Sequence, residues 1–137
     1  MDKAGGKRRD IKFFSQKCNA VICVHSQVAR EYAQWLEEQS WVESYEVSVP
    51  FETSKYGLVD PVEIRPLYFQ TEWASDFLLR FVDKRQAVRE IVPSIEALQK
   101  LATVEKLEFS RRYWKAMGVS DWKIILPRDE QGGRQND

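Results

Sequence analysis

Cysteine is scarce in this sequence, which argues against a disulfide-stabilised or zinc-finger protein. The 137 residues include two cysteines, Cys18 and Cys23. Four residues separate them, a spacing that does not fit a metal finger, and a disulfide within one short strand-like segment is not expected. Both are therefore predicted to be reduced thiols, as is usual in the cytoplasm.

Long apolar runs are also absent. No segment approaches the ~20 apolar residues of a membrane-spanning helix. The N-terminus lacks the apolar region of a secretory signal peptide. We therefore expect a cytoplasmic protein that makes no contact with a membrane.

An excess of charge of either sign is missing as well. Lysine and arginine number 21, as do aspartate and glutamate, so the formal net charge is zero. Any binding to nucleic acid would have to use a local basic patch rather than the overall charge. The length is sufficient for one domain with a buried core.

In the sequence, a polar segment precedes this predicted domain and another follows it. Residues 1–10 contain glycine and four basic residues, Lys3, Lys7, Arg8 and Arg9, and residues 127–137 are polar with two glycines. Both ends are predicted to be loose tails. No internal repeat or linker divides residues 11–126, which we interpret as a single domain.

The first half of this domain shows a strand, a helix and a second strand. Residues 19–25 are rich in valine, isoleucine and cysteine and are typical of a strand. Ser26 is a favourable N-cap for a helix that reaches about Gln39. Its predicted buried stripe, at helical spacing, consists of Ala29, Tyr32, Ala33 and Leu36.

Strand-like and helical segments then alternate along the rest of the chain. Strands are predicted over residues 42–49, 63–70, 76–82, 86–92 and 121–126. Ser94 should cap a short helical turn that ends near Lys100, and Thr103 a longer helix that ends at Met117 before Gly118. A helix, three or four strands, a second helix and a final strand match the order α-β-β-β-α-β, which predicts an α/β fold with a mixed central sheet flanked by helices.

Two acidic residues occupy suggestive positions on neighbouring predicted strands. Asp76 begins one strand, and Glu90 lies in the next with Val92 two residues further on. A carboxylate on one strand, followed by Glu-x-Lys on the next, is the PD-(D/E)xK layout of metal-dependent nucleases. In this chain valine stands where that layout has lysine.

Several segments, in this order, resemble the N-terminal catalytic domain of TnsA, the endonuclease subunit of heteromeric cut-and-paste transposases. They span residues 25–37, 42–51, 75–77, 89–94, 105–107 and 111–114. The resemblance covers about residues 20–126 and implies a restriction-endonuclease-like fold. It aligns Asp76 and Glu90 with two metal-binding acids of the family.

The same resemblance identifies two losses. The first catalytic glutamate of the family falls on Ala29, and the catalytic lysine falls on Val92. Glu31 is a poor replacement, because two helical residues lie about 200° apart around the axis and Ala29 belongs to the predicted buried stripe. Asp76 and Glu90 would then be a remnant site whose binding of Mg²⁺ is weak or absent.

The resemblance implies a TnsA-like component of a transposition system, acting as a DNA-binding or protein-bridging subunit with a degraded nuclease site. Its partners would be transposon-end DNA and the transposase and ATPase subunits of the complex, and a homodimer is an open alternative. Two other functions remain: an active Mg²⁺-dependent endonuclease that cuts transposon ends, and a structural adaptor that does not bind DNA.

The last predicted helix carries a cluster of basic residues, namely Lys106, Arg111, Arg112 and Lys115. Such a face can contact phosphates. It can equally be a solvated helix face beside a buried aromatic edge at Tyr113 and Trp114. His25, the single histidine, is more typical of a structural residue before a helix cap than of a catalytic one.

Overall fold

A computed structural model describes residues 9–127. Most of both predicted tails, at residues 1–8 and 128–137, falls outside this range. The described chain begins with a β-hairpin of β1 (Ile11–Ser15) and β2 (Ala20–Val24). Neither α-helix of the described part is long and apolar enough to cross a membrane.

The central sheet has four strands, ordered β3-β4-β5-β6. Their bounds are β3 (Val42–Pro50), β4 (Ala74–Phe81), β5 (Gln86–Ile91) and β6 (Trp122–Ile125). The first two pairings are antiparallel, and β5 pairs with β6 in parallel. A parallel pair needs a crossover, which the helix α2 (Leu101–Ala116) supplies.

The helix α1 (Gln27–Glu37) begins as predicted. The Ser26 side chain accepts a hydrogen bond from the Ala29 backbone at 3.1 Å. The predicted stripe is the buried face of the helix. With α1 before β3 and α2 before β6, the order α-β-β-β-α-β and the α/β fold with a mixed sheet are confirmed.

The two helices cover opposite faces of the sheet. Leu79 and Ala87 belong to the core beneath α1, whereas their neighbours Leu78 and Val88 belong to the core beneath α2. This alternation is the period of two expected of strands buried on both faces. The sheet is therefore the middle layer of three.

The end of α2 is closed in the way its sequence predicts. Gly118 has φ of +90°, a conformation that glycine adopts without steric cost. Its N–H bonds the Lys115 carbonyl at 3.0 Å, and the Val119 N–H bonds the Trp114 carbonyl at 2.8 Å. These two bonds form a Schellman motif.

The start of α2 differs from the prediction. Thr103 lies inside the first turn, and Lys100 occupies the N-cap without a side-chain bond. The reason is that a 3₁₀ turn, Ile95–Gln99, capped by Ser94, runs into the helix. The Lys100 carbonyl already accepts the Val104 N–H at 3.1 Å, so helical bonding begins before Thr103.

The strand predicted over residues 63–70 is wrong. Glu63 has φ of +61°, and Pro66–Gln70 is a 3₁₀ turn. Proline has no N–H and a fixed φ, which suits the first turn of a helix better than a strand. Tyr68 is buried in this turn and donates to the Ala102 carbonyl at 3.2 Å, so the turn is fixed against α2.

The strand β1 was not predicted. A two-stranded sheet is marginal by itself, and the contacts that hold this one come from distant parts of the chain. Glu37, at the end of α1, accepts hydrogen bonds from Ser15 Oγ at 2.5 Å and from Tyr45 Oη at 2.6 Å. This carboxylate joins the hairpin to α1 and to β3.

Candidate functional site

Asp76 and Glu90 are brought together at the end of the β4–β5 pairing. Phe77 pairs with Arg89, and one step further Asp76 lies across from Glu90. The Asp76 N–H donates to Glu90 Oε1 at 3.2 Å, and the Ile91 N–H donates to Asp76 Oδ2 at 2.7 Å. Each carboxylate therefore accepts a backbone N–H of the opposite strand.

Glu90 is buried, with 4% of its surface exposed. Its Oε2 accepts hydrogen bonds from two serine hydroxyls, Ser75 on β4 and Ser110 on α2, each at 2.5 Å. Each serine oxygen also accepts a hydrogen bond from a tryptophan indole. Trp114 Nε1 donates to Ser75 Oγ at 2.8 Å, and Trp122 Nε1 donates to Ser110 Oγ at 3.0 Å.

This network fixes the direction of every hydrogen bond in it. An indole N–H can only donate, so each serine oxygen accepts from its tryptophan and donates its own hydrogen to Glu90. An oxygen that accepts two hydroxyl hydrogens has no room for a proton of its own. Any proton held by Glu90 must therefore lie on Oε1, the side that faces Asp76.

Both acids hold protons more tightly than usual. Burial, followed by the charge of Asp76, raises the pKa of Glu90 to about 7. Burial also raises the pKa of Asp76, against the opposing effect of the Ile91 N–H. Two carboxylates this close and this dry do not both ionise easily. Near neutral pH the pair shares a proton for much of the time.

The two degenerate positions lie in different surroundings. Ala29 lines a pocket of about 240 Å³ together with Asp76, His25 and Ile91. Val92 is buried, with 1% exposed, and its N–H bonds the Ile125 carbonyl at 2.9 Å. Ala29 and Asp76 therefore line the same pocket, and the Val92 side chain is buried.

Glu31 does not enter this pocket. It is half-buried on α1 and accepts a 3.4 Å hydrogen bond from the Gln27 side chain. Ser48 does line the pocket, and it has φ of +51° in the middle of β3. Val47 pairs with Phe77 and Val49 with Ser75, so Ser48, with its left-handed backbone, lies opposite Asp76 on the neighbouring strand.

These residues do not fit a catalytic Mg²⁺ site. Mg²⁺ needs ionised oxygen ligands in near-octahedral geometry. Both oxygens of Glu90 already accept hydrogen bonds, Oε2 from the Ser75 and Ser110 hydroxyls and Oε1 from the Asp76 N–H. Ala29 and Val92 supply no ligand and no cation. Metal-dependent cleavage at this position is therefore not supported by these side chains.

The predicted basic residues of α2 do not form one free cationic face. Arg111 and Arg112 both bind Glu108, at 2.6 and 2.7 Å. Arg112 also donates to the Asp60 and Val62 carbonyls, at 2.7 and 2.8 Å, which fixes it against a loop.

The other two basic residues lie at different places along α2. Lys106 Nζ is 5.5 Å from the centre of the Trp73 ring, and its charge offsets part of the rise that burial causes in the pKa of Asp76. Lys115 is exposed near the end of the helix. Lys106 is also exposed to solvent and close enough to Asp76 for its charge to act on that carboxyl.

A second group of potential ligands was not predicted. Asp10, Cys23 and His25 place one oxygen, one sulfur and one nitrogen within 4.8 Å of one another. His25 Nδ1 is 3.1 Å from Asp10 Oδ1. The signal in the sequence is the alternation Cys23-x-His25, which places both side chains on one face of a strand. Asp10 joins them only through the unpredicted pairing of β1 with β2.

Comparison with known proteins does not assign this chain to a family. No model of a known protein family matches the sequence, and no curated protein matches it.

Proposed function

We propose that this chain is a TnsA-like component of a cytoplasmic transposition system, with a degraded nuclease site, that acts as a DNA-binding or protein-bridging subunit. The main support for a loss of cleavage is that both carboxylate oxygens of Glu90 already accept hydrogen bonds. The acid that should hold a metal is held instead by Ser75, Ser110 and the Asp76 N–H.

Nuclease ancestry is supported by the placement of the remnant residues. The α-β-β-β-α-β order brings Asp76 and Glu90 side by side. It also places Ala29 of the first helix in the same pocket as Asp76. A fold alone does not imply a function, but here the fold and three positions of the resemblance agree in space.

The partners proposed for this subunit are transposon-end DNA and the transposase and ATPase subunits. Lys106, Lys115 and the partly exposed Arg111 on α2, with exposed Arg9 beside β1, are among the described cations available to phosphates. Binding through so few contacts would be weak and sensitive to salt. Such a subunit would depend on its protein partners for stable placement on DNA.

A cleavage assay tests the loss of chemistry. The full chain, with and without its transposase partner, is incubated with labelled transposon-end DNA and Mg²⁺ or Mn²⁺. We expect no cleavage beyond that of an Asp76→Ala control. Metal-dependent nicking that Asp76→Ala abolishes would reject the proposal and establish the alternative, an active endonuclease.

A binding titration tests the DNA contact. Fluorescence anisotropy of labelled duplex over a series of salt concentrations should give an affinity that falls with salt, with a slope of about one to three phosphate contacts. Lys115→Ala should reduce that slope by about one. Lys84→Ala, which removes an exposed lysine from the turn between β4 and β5, is the matched control. Affinity that salt does not change, or no binding, would favour the structural adaptor.

A further inference from the structure

Asp10, Cys23 and His25 lie together at the end of the β1–β2 hairpin, on the face that points away from the core. Lys12 pairs with Cys23 and Ile11 with Val24, and Asp10 and His25 are the next residues beyond this last pair, with His25 Nδ1 3.1 Å from Asp10 Oδ1. Side chains two residues apart on a strand share a face, as do those of directly opposed residues. The end of the hairpin therefore brings the three side chains together.

The separations are close to those of a zinc site. Tetrahedral ligands at ordinary zinc distances lie about 3.3–3.6 Å from one another. The Asp10 oxygen and the His25 nitrogen are 3.1 Å apart, and all three ligand atoms lie within 4.8 Å. Small side-chain rotations would close the remaining gap, and both Cys23 and His25 are half-buried, which limits their motion.

The chemistry of the three donors selects the metal. A thiolate and an imidazole are poor ligands for Mg²⁺ or Ca²⁺ and good ones for Zn²⁺. Three protein ligands leave the fourth tetrahedral position to water, as in zinc sites that act on a substrate. His25 also lines the pocket that contains Asp76, so a metal here would lie beside the mouth of that pocket.

We propose that Asp10, Cys23 and His25 bind one Zn²⁺ ion on the outward face of the β1–β2 hairpin. This site is separate from the Asp76–Glu90 pair and does not depend on the proposed role in transposition. Lys12 lies across from Cys23 and opposes the bound cation. The site therefore has a neighbouring positive charge whose removal should strengthen it.

Titration of the full chain with Co²⁺ tests the proposal directly. A cysteine–cobalt bond gives a sulfur-to-metal charge-transfer band, and tetrahedral cobalt gives intense visible bands. We expect both, with Zn²⁺ in equimolar amount abolishing them. Cys23→Ser should remove the charge-transfer band and weaken Zn²⁺ binding at least about tenfold. Cys18→Ser, the matched control at the other cysteine, should change neither.

Two further variants separate a zinc site from an ordinary ion pair. Asp10→Asn should weaken Zn²⁺ binding, whereas Lys12→Ala should strengthen it, because the first removes a ligand and the second removes a repelling charge. Circular dichroism establishes that each variant is folded. Absence of the charge-transfer band in the wild type, its survival in Cys23→Ser, or its loss in Cys18→Ser would overturn the proposal.

Discussion

Ser75 and Ser110, which belong to a strand and a helix separated by 35 residues, donate to the same oxygen of Glu90 and lie 3.3 Å from each other. Because both hydroxyl hydrogens are committed to the carboxylate, the contact between the serines is a consequence of their shared acceptor. The arrangement makes an acidic residue a structural centre that joins β4, β5 and α2.

Replacement of either serine should destabilise the protein. Ser110→Ala would leave the Trp122 indole N–H without its acceptor and Glu90 without one donor, and Ser75→Ala would do the same to Trp114. Each should lower the free energy of unfolding by about 1–3 kcal/mol, the usual cost of an unsatisfied buried polar group. Urea denaturation measures this. The exposed Ser54→Ala is the control, and equal stability of all three variants would contradict the network.

The buried acids should make stability fall as pH rises. A carboxyl whose pKa is raised on folding binds more protons in the folded than in the unfolded state, so its stabilising contribution is complete below the unfolded pKa and is lost above the folded one. For Glu90 the window runs from 4.5 to about 7. Across it the wild type should lose on the order of 1–3 kcal/mol relative to Glu90→Gln.

Urea denaturation of both proteins at about pH 5 and about pH 8 measures this difference, since subtraction removes the titration of all other groups. Glu46→Gln, on the exposed side of β3, is the control and should follow the wild type. Parallel stability profiles for the wild type and Glu90→Gln would contradict the assignment of a shared proton to the Asp76–Glu90 pair.

Restoring the missing acid should restore some affinity for metal. Ala29→Glu would add a third carboxylate to the pocket that already contains Asp76, and the number of charged ligands largely sets the affinity of such sites. We expect Mn²⁺ affinity, measured by calorimetry, to rise at least about tenfold. Gln34→Glu adds the same charge on the exposed side of α1, and an equal gain in that variant would show that position is irrelevant.

Loss of the Glu37 carboxylate should release the hairpin. Burial would raise the pKa of Glu37, but the hydrogen bonds from Ser15, Tyr45 and Lys17 together lower it. The stabilisation is therefore present above the unfolded pKa of 4.5 and is lost as pH falls. Glu37→Gln should speed hydrogen exchange in β1 and β2 and leave β4 and β5 unchanged. Uniform acceleration throughout the sheet would indicate global rather than local opening.

Glu108 should restrain DNA binding. Its hydrogen bonds with Arg111, and then with Arg112, lower the pKa of Glu108 to about 2, so it is ionised at all physiological pH values. Glu108→Gln would release positive charge on α2 and should tighten DNA binding about two- to fivefold with a steeper salt dependence. Glu96→Gln, exposed in the preceding turn, is the control. An equal gain in DNA affinity for Glu96→Gln and Glu108→Gln would indicate that only the net charge of the protein matters.

The sequence predicted a structural feature correctly where the residues that determine it lie close together in the chain. The stripe of α1, its Ser26 cap and the Gly118 termination depend on residues within a turn or two of each other. The turn at Pro66–Gln70 and the strand β1 depend on contacts with Ala102 and Glu37, which are distant in sequence. For the same reason, Asp76 and Glu90 were identified, but their serine and tryptophan partners were not.

The position of Trp122 has a consequence for the order in which the chain can be completed during synthesis. Ribosomes release the N-terminal part first, and the indole that fixes Ser110 lies in β6, 32 residues after Glu90. Until that strand emerges and pairs with β5, Ser110 lacks the indole N–H that fixes its hydroxyl towards Glu90. The buried carboxylate network around Glu90 therefore forms only after β6 has joined the sheet.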